Sequence, residues 1–449
     1  MRITIAGASG FIGSHLIKKL SKKFPIRGLS RNAMRSYTEN LKWLECDLYS
    51  LDSTFEALQN TDIAIYLVHS MMPSSALFQG SFQDTDILLA DNFSKACENA
   101  GVKQIIYLGG LIPTQDNISK HLESRKEIEE VFKSTSIPLT VLRAGMIVGN
   151  GGSSFELLKN LVLNLPAMIL PKWTQSQTQA IYIDDLIQVI CESINNPNFY
   201  NRTIDVINGE CLTYKDLIEI TSKHFNKKRL LIPAPINSTG FSKLWVTIFG
   251  ETSYELVSPL IDSLMCDLPH SYIDPLIASL IQDKSYQGML HKISRHKFKS
   301  NKRRPKYFHN HSVRSIQRLD NPYRFSSEKI SKKYVSWLPT HMRYLIKAKS
   351  DKKSVTFYAI GLPLLKLKRI PKQKNIDRVK FNIVGGLLSK TSNTSWLEFR
   401  QIANGKYTLA SIHDFIPALP WFIYKYTQAP IHAAVMNSFS KFLARKKIG

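Results

Sequence analysis

Gly7, Gly10 and Gly13 stand in the spacing Gly-x-x-Gly-x-x-Gly, with Ser9, Phe11 and Ile12 between them. The apolar residues Ile3 and Ile5 precede them as a short strand, and His15 to Leu20 follow as an amphipathic helix. In this order Gly7 permits a tight turn, Gly10 lets the backbone approach a pyrophosphate, and Gly13 lets the helix pack close to the strand. The chemistry this spacing supports is dinucleotide binding, because it sits between a strand and a helix rather than in an arbitrary loop. A second strand, residues 25–31, ends in Ser30-Arg31, with Arg35 close by. An acidic residue at that tip would hold the 2′-hydroxyl of NAD, whereas a cation suits a 2′-phosphate. The expected cofactor is therefore NADP(H) in preference to NAD(H).

The elements that must position this turn follow in alternation. A third strand through Trp43 ends in Asp47-Leu48, a helix covers Leu51 to Leu58, and a fourth strand runs from Ile63 to Ser70. A helix from Asp84 to Ala100 and a strand from Gln104 to Gly110 continue the pattern. Strands and helices at this spacing imply an α/β fold with a doubly wound parallel sheet. Ligands of such sheets lie beyond the carboxyl ends of the strands, so residues 68–71, including Val68 and His69, and residues 109–111, including Gly109, are expected to line the cleft.

The chain has 449 residues, enough for two or three domains. No apolar run reaches the roughly 18 residues of a membrane span. Met1 leads directly into a core strand, which leaves no room for a signal peptide. Cys46, Cys97, Cys191, Cys211 and Cys266 are scattered and form no Cys-x-x-Cys, which points to a reducing cytoplasm rather than a disulfide frame. Residues 1–283 carry 25 Lys and Arg against 29 Asp and Glu, whereas residues 284–380 carry 27 against 4. This asymmetry marks a boundary. It divides the chain into a dinucleotide-binding domain (1–235), a helical extension with a basic linker (236–306) and a C-terminal domain (307–449).

Four stretches together, residues 7–13, Asp47-Leu48, residues 142–149 (LRAGMIVG) and residues 181–185 (IYIDD), resemble the extended and atypical short-chain dehydrogenase/reductase superfamily. The nearest branch is the NmrA-like group, together with the related accessory subunit of respiratory complex I. The resemblance implies a seven-stranded Rossmann sheet, with a dinucleotide lying across Gly10, Arg31, Asp47 and Val68, and Asp47 contacting the adenine. Catalytic members carry Tyr-x-x-x-Lys on the helix after the fifth strand. This chain has His121-Leu-Glu-Ser-Arg125 there, and no hydroxyl at Gly109-Gly110-Leu111, where the family has its serine or threonine. The i, i+4 spacing keeps His121 and Arg125 on one helix face. Histidine can move protons near neutral pH, but arginine cannot give one up. Two readings follow. In one, His121 is a surrogate acid, Arg125 clamps the ribose or 2′-phosphate, and the chain is an oxidoreductase for an apolar carbonyl or quinone-like compound. In the other, Arg125 pairs with a neighbour such as Glu129, and the domain binds its cofactor without turning it over, as a redox sensor or assembly factor.

Asp184 or Asp185 is placed to cap the next helix. Phe155 and Trp173 suit an apolar partner or a core. From Ile236 to Ile293 the chain reads as helices, with Leu244, Trp245, Ile248, Phe249, Leu256, Leu260, Ile261 and Leu264 at helical spacing. The basic stretch 292–305 is either a solvated linker or a contact for an anionic membrane surface, which would place the protein at the inner face of the membrane. Nucleic acid is disfavoured, because no recognition motif accompanies the charge. His291, His296, His309 and His311 lack cysteine or carboxylate neighbours, and no metal site is expected.

A helix from Ser326 to Trp337, apolar strands, a hairpin turning at Asn404-Gly405 and a terminal helix with Ile431, Val435, Phe439 and Phe442 on one stripe complete the chain. This pattern resembles the α+β helix-grip fold of START/polyketide-cyclase-like domains. The resemblance implies an apolar cavity for a small apolar ligand or lipid. Residues 414–424 read as its mouth or as an aromatic core edge, and Glu398, Arg400 and His413 as polar cavity residues or solvent-facing ones.

Overall fold

Alternating isoleucines make the first strand, β1 (Ile3–Ala6), and glycine ends it at Gly7. Helix α1 (Phe11–Leu20) returns the chain to β2 (Ile26–Ser30), and β3 (Leu41–Glu45), helix α2 (Leu51–Leu58) and β4 (Ile63–Tyr66) follow. Strand β5 (Leu77–Gly80) stands apart from this sheet and precedes helix α3 (Phe82–Ala100). Strand β6 (Gln104–Gly110), helix α4 (Lys120–Lys133), β7 (Leu139–Ala144), β8 (Met146–Val148), helix α5 (Ser153–Asn164), β9 (Ala167–Leu170), β10 (Gln177–Tyr182), helix α6 (Ile183–Ser193) and β11 (Arg202–Val206) come next. The computed structural model describes residues 1–31, 39–70, 77–113, 118–235, 258, 261–268, 272–293, 312–343, 345–371, 376–390 and 394–445.

Seven parallel strands form one sheet in the order β11-β7-β6-β4-β1-β2-β3. The direction of winding reverses between β1 and β4, and this opens a crevice at the carboxyl ends of the strands. Every residue of β1 and β4 is buried, as strands covered on both faces require. Strand β12 (Cys211–Thr213) pairs with β10, which pairs with β8, and β13 (Leu230–Pro233) pairs with β9. Helix α7 (Tyr214–His224) opens with a reciprocal Thr213–Asp216 capping box. It contributes Leu217 to the main core, which the short helix α8 (Tyr286–His291) joins through Tyr286, Met289 and Leu290.

Three local expectations are corrected here. Strand β4 stops at Tyr66, so Val68 and His69 lie beyond it rather than in it. Strand β3 stops at Glu45, which leaves Asp47-Leu48 past its end. Neither Asp184 nor Asp185 caps helix α6: the cap residue is Tyr182, with no side-chain hydrogen bond. Asp185 instead accepts the N–H groups of Gln282 and Asp283 at 3.1 and 3.0 Å, because its carboxylate meets a distant loop before it can fold back on its own helix.

The chain divides into two units, Met1–Met71 with Asn92–Lys302, and Met72–Asp91 with Arg303–Gly449. The division expected from composition (1–235, 236–306, 307–449) therefore differs in two respects. The described part of the helical extension belongs with the first unit, and residues 72–91 belong with the second. Helix α3 passes from one unit into the other. Of the basic stretch only Lys292 and Ile293 are described; Arg35, Leu244, Trp245, Ile248, Phe249, Leu256, Leu260, His296, His309 and His311 also lie outside the described residues.

In the second unit, β14 (Val313–Arg318) precedes helix α9 (Ser327–His341), which Ser326 caps on the Lys329 N–H. Six antiparallel strands follow: β15 (Ile346–Ser350), β16 (Ser354–Ala359), β17 (Leu362–Arg369), β18 (Arg378–Gly385), β19 (Trp396–Ile402) and β20 (Tyr407–Phe415). The sheet runs β15-β16-β17-β18-β19-β20-β14-β5, and β5 pairs parallel to β14. Ala403, Asn404 and Gly405 turn the β19–β20 hairpin, all in the left-handed region. Helices α10 (Trp421–Tyr426) and α11 (Gln428–Ala444) close the chain. This unit is a mixed sheet with helices, its core formed by Tyr334, Phe381, Leu397, Phe399, Phe439 and Leu443. Of the expected stripe on α11, Phe439 is buried and Val435 packs against the core, but Ile431 is 57% and Phe442 37% exposed, and Met436 and Leu443 are buried beside Phe439 instead.

Alternation along β19 sends Leu397 and Phe399 into that core and Glu398 and Arg400 to the opposite face. Glu398, Arg400 and His413 do not face solvent and are not among the residues lining the second unit's cavity of about 160 Å³; all three are fully buried and paired. Arg400 meets Asp91 at 2.7 Å, the Arg378 Nε donates to Glu398 at 2.6 Å, and His413 lies 3.5 Å from Glu398. Burial would raise the Glu398 pKa, but Arg378, His413 and Arg400 hold it well below the carboxylate range.

Candidate functional site

The glycine turn has the geometry its sequence demands. Gly7 adopts φ +83°, and the Gly10 N–H donates to the Gly7 carbonyl at 3.0 Å. A Cβ on Gly13 would lie 2.4 Å from the Gly7 oxygen, so no side chain fits there. Helix α1 begins with no side-chain cap and no acidic residue in its first turn. Ser9 and Gly10 are exposed. Unsatisfied N–H groups, a positive helix end and no competing carboxylate make a fit for a pyrophosphate. Phe11 packs over Gly149 and Gly152, where an added Cβ would come within 2.7 and 3.0 Å of its ring. Gly149 and Gly152 therefore make room for the start of α1.

The remaining candidates for the dinucleotide stand at the carboxyl ends of neighbouring strands. Arg31 follows β2 and is exposed. Asp47 is half-buried; its Oδ1 accepts the Tyr49 N–H at 3.2 Å, and its own N–H donates to Ser53 Oγ at 3.3 Å. The Leu48 carbonyl accepts from Asn92 Nδ2 at 2.7 Å. Val68 is half-buried and His69 exposed beyond β4, and Gly109 is half-buried near the end of β6. If a dinucleotide is bound here, the turn 7–13 would hold its pyrophosphate and Arg31 and Asp47 would stand at its adenosine end.

His121, the second residue of α4, lines a cavity of about 190 Å³. The walls are apolar: Leu111, Leu157, Leu161, Trp173 and Ile218 among them. Ser154, Thr178, Tyr214 and Ser263 supply its other polar side chains among the described residues. Trp173 faces the cavity, whereas Phe155 is fully buried in the main core, so the two aromatic residues read together in the sequence have different roles. His121 Nδ1 lies 3.0 Å from Ser263 Oγ. Burial first, then the charge of Arg125 and the proximity of His69, hold the imidazole well below its ordinary pKa. The ring is therefore neutral near neutral pH. Arg125, one turn on, is buried. Glu129, its expected partner, has both carboxylate oxygens 2.7 Å from Arg143. Burial pushes the Tyr214 hydroxyl up to about 12.

Gly110 and Leu111 border the cavity where the family hydroxyl would stand. The hydroxyls present arrive from α5, β10, α7 and the 261–264 helical segment. Sequence reading missed Ser263 and Tyr214, because no local spacing ties either to His121; Ser263 is 142 residues away. The described cysteines are free thiols, and burial raises Cys46 and Cys191 to about 11, which makes them poor nucleophiles. Among the described residues no helix is long and apolar enough to cross a membrane.

Residues 1–239 match the model of the NmrA-like family. The chain is 22% identical over 295 residues to a UDP-glucose 4-epimerase of Vibrio cholerae, covering 60% of this chain and 88% of that protein. A nucleoside-diphosphate-sugar epimerase structure from Staphylococcus aureus aligns with a TM-score of 0.52 at 16% identity, over 65% of this chain and 99% of that one. The triphenylmethane reductase of Citrobacter sp., solved in complex with NADP(H), aligns with a TM-score of 0.50 at 18% identity, over 65% of this chain and 99% of that one. The two structural likenesses, at 16% and 18% identity, are likenesses of fold. On the family match over more than half its length, with the glycine turn and strand order in place, this chain belongs to the NmrA-like family.

Proposed function

We propose that this protein is a reductase that uses NADP(H) in preference to NAD(H) and acts on an apolar carbonyl or quinone-like compound. The observation that carries the reading is a neutral histidine lining an apolar cavity next to the crevice residues of the same unit. The reduced nicotinamide would supply hydride. The chain's own residues do the rest. Leu111, Leu157, Leu161 and Trp173 shield the reacting centre, an N–H of the neutral His121 ring donates a hydrogen bond that stabilises the developing oxyanion, which takes its proton from solvent, and Arg31 favours a 2′-phosphate. A nucleotide sugar, with its many hydroxyls, would find few polar partners on these walls, which supports an apolar substrate over the sugar nucleotides named for the epimerase relatives. The reductase of the same fold that binds NADP(H) supports the cofactor preference.

Isothermal titration with NADPH and NADH tests the shared premise: tighter binding of NADPH, reduced by Arg31→Ala, is expected, and absence of binding to either refutes the reading. His121→Phe should lower turnover of a quinone or apolar aldehyde by about 10²–10⁴-fold while NADPH affinity stays within a factor of about two.

A second reading rests on the second unit. There a cavity of about 160 Å³ is lined by Leu338, Phe357, Ile383, Phe415, Tyr424 and Val435, so that residues 414–424 contribute both lining and core. An apolar ligand carried there, with the dinucleotide as a sensed ligand, would make the chain a binding protein. NADPH binding without turnover of any carbonyl or quinone, and an apolar molecule found by mass spectrometry in the purified protein, would favour it.

A further inference from the structure

The hairpin of β16 and β17 turns on two residues, Ile360 and Gly361, since Ala359 pairs with Leu362. Both have positive φ, +50° and +76°, as the tight hairpin turns that favour Asn-Gly require. Glycine adopts this region freely. A β-branched side chain there crowds its own backbone, and Ile360 is an outlier for its residue type. No packing within this chain offsets the strain, because Ile360 is 97% exposed. A residue that is both strained and bare is unfavourable twice over unless a partner covers it.

The surroundings of the tip narrow what that partner can be. Residues 355–365 carry no charge. Leu345, next to the Ile346 that pairs with Ala359, is exposed, as are Leu362 and Leu387. The Leu387 N–H donates to the Pro363 carbonyl at 3.0 Å, which brings that residue to the same end of the sheet. Large apolar side chains exposed together in this way mark an interaction surface. Behind them the sheet turns basic: residues 345–369 hold seven Lys and Arg against one Asp. Lys347 lies opposite Tyr358, and Lys349 and Lys366 lie opposite Thr356, all three exposed. At the rise of a strand these positions stand roughly 7 and 13 Å back from Ile360. A second copy of this chain would set like charge against like, and lysines on the edge strand β15 oppose strand pairing. An anionic bilayer offers what the tip needs in the right order, hydrocarbon in front and headgroup phosphate behind.

We propose that the β16–β17 tip is a docking element for an anionic membrane surface. Ile360, Leu345, Leu362 and Leu387 enter the boundary between headgroups and acyl chains, and Lys347, Lys349 and Lys366 meet the phosphates. Attachment of this kind is peripheral and reversible. It involves other residues than the basic stretch 292–305, and it requires neither the dinucleotide nor a substrate, so it goes beyond both functional readings. Ile346, Leu364 and Leu388, close neighbours of the inserted residues along the chain, line the second unit's cavity, so docking would bring that wall of the cavity toward the bilayer.

The test is sedimentation of the full-length protein with vesicles of phosphatidylcholine alone and of an equal mixture of phosphatidylcholine and phosphatidylglycerol. Binding to the mixed vesicles, weakened by salt and much lower on phosphatidylcholine alone, is expected. Ile360→Asn separates docking from folding. Asparagine tolerates the left-handed region and suits the turn before Gly361, so the urea midpoint should hold or rise. Partition onto the mixed vesicles should nevertheless fall about 10-fold or more, because one isoleucine no longer leaves water. Changing Lys347, Lys349 and Lys366 together to Gln should lower binding and most of its salt dependence. Failure to sediment with either vesicle overturns the proposal. So does Ile360→Asn binding as wild type does, which would trace any attachment to the basic charge of the chain at large. A lower urea midpoint in Ile360→Asn would refute the strain at the tip and the inference drawn from it.

Discussion

At the scale of single residues, two positions show how burial turns an ordinary group into a constraint. A Cβ at Gly13 meets the Gly7 carbonyl at 2.4 Å and the Ala8 backbone at 2.7 Å, and backbone cannot swing aside as a side chain would. Gly13→Ala should cost about 3 kcal/mol, the upper range for overpacking, and abolish nucleotide binding; urea unfolding and calorimetric titration would measure both. His432 lies against the cavity of the second unit, and burial pushes its pKa down to about 4. Its folded-state value is thus below its unfolded one, so the unfolded chain binds a proton that the folded chain refuses. Stability should fall as pH drops from about 6.5 toward 4, and His432→Phe should flatten that part of a urea-midpoint profile. Glu398, held below the carboxylate range, acts in a lower window: its contribution is lost only as pH falls beneath its ordinary value of 4.5.

At the scale of elements, the β18–β19 pair carries charge where a sheet of this kind has apolar side chains. Arg378 and Arg400 sit opposite one another in register, with Glu398 bound to Arg378 and Asp91 to Arg400. Breaking one such pair strands its partner in a dry environment. Arg378→Ala should destabilise the protein by about 3–5 kcal/mol, and a second change, Glu398→Leu, should recover much of the loss, because an apolar pair carries no desolvation penalty. Denaturant unfolding of the two single variants and the double variant would measure the coupling. The β19–β20 hairpin, by contrast, was legible in advance. Asn404-Gly405 is a turn signal that needs only its neighbours, and the positive φ values at residues 403–405 follow from it. The stripe on α11 was not so accessible. An apolar line at helical spacing names a face, but Phe439 at 0% and Ile431 at 57% exposure differ because of what packs on each.

At the scale of the whole molecule, residues 72–91 separate sequence order from structural membership. Strand β5 pairs with β14, Asp84 meets Arg318 at 2.8 Å, and Asp91 meets Arg400. A chain ending at residue 302 would keep β5, Asp84 and Asp91 and lose β14, Arg318 and Arg400. It should therefore be poorly soluble or melt well below the full chain, which thermal scans followed by circular dichroism would show; a cooperative transition at the full chain's temperature would mean that these pairings contribute little. The same separation explains why a boundary read from charge near residue 284 missed the second unit's earliest strand: composition changes gradually along a chain, whereas pairing is set by which edges meet.

By itself the sequence determined the glycine turn, the alternation of strands and helices, the cationic tip at Arg31 and the replacement of the family's Tyr-x-x-x-Lys by His121 and Arg125. Each of these depends on neighbours within about one turn or one strand, where steric rules act locally. Tertiary structure decided the rest. It brought Ser263 to His121 across 142 residues, directed Asp185 to a distant loop instead of a cap, and buried Glu398, Arg400 and His413 together. Side chains far apart in sequence become partners only when packing has paid the entropy of bringing them together, and no spacing along the chain records that.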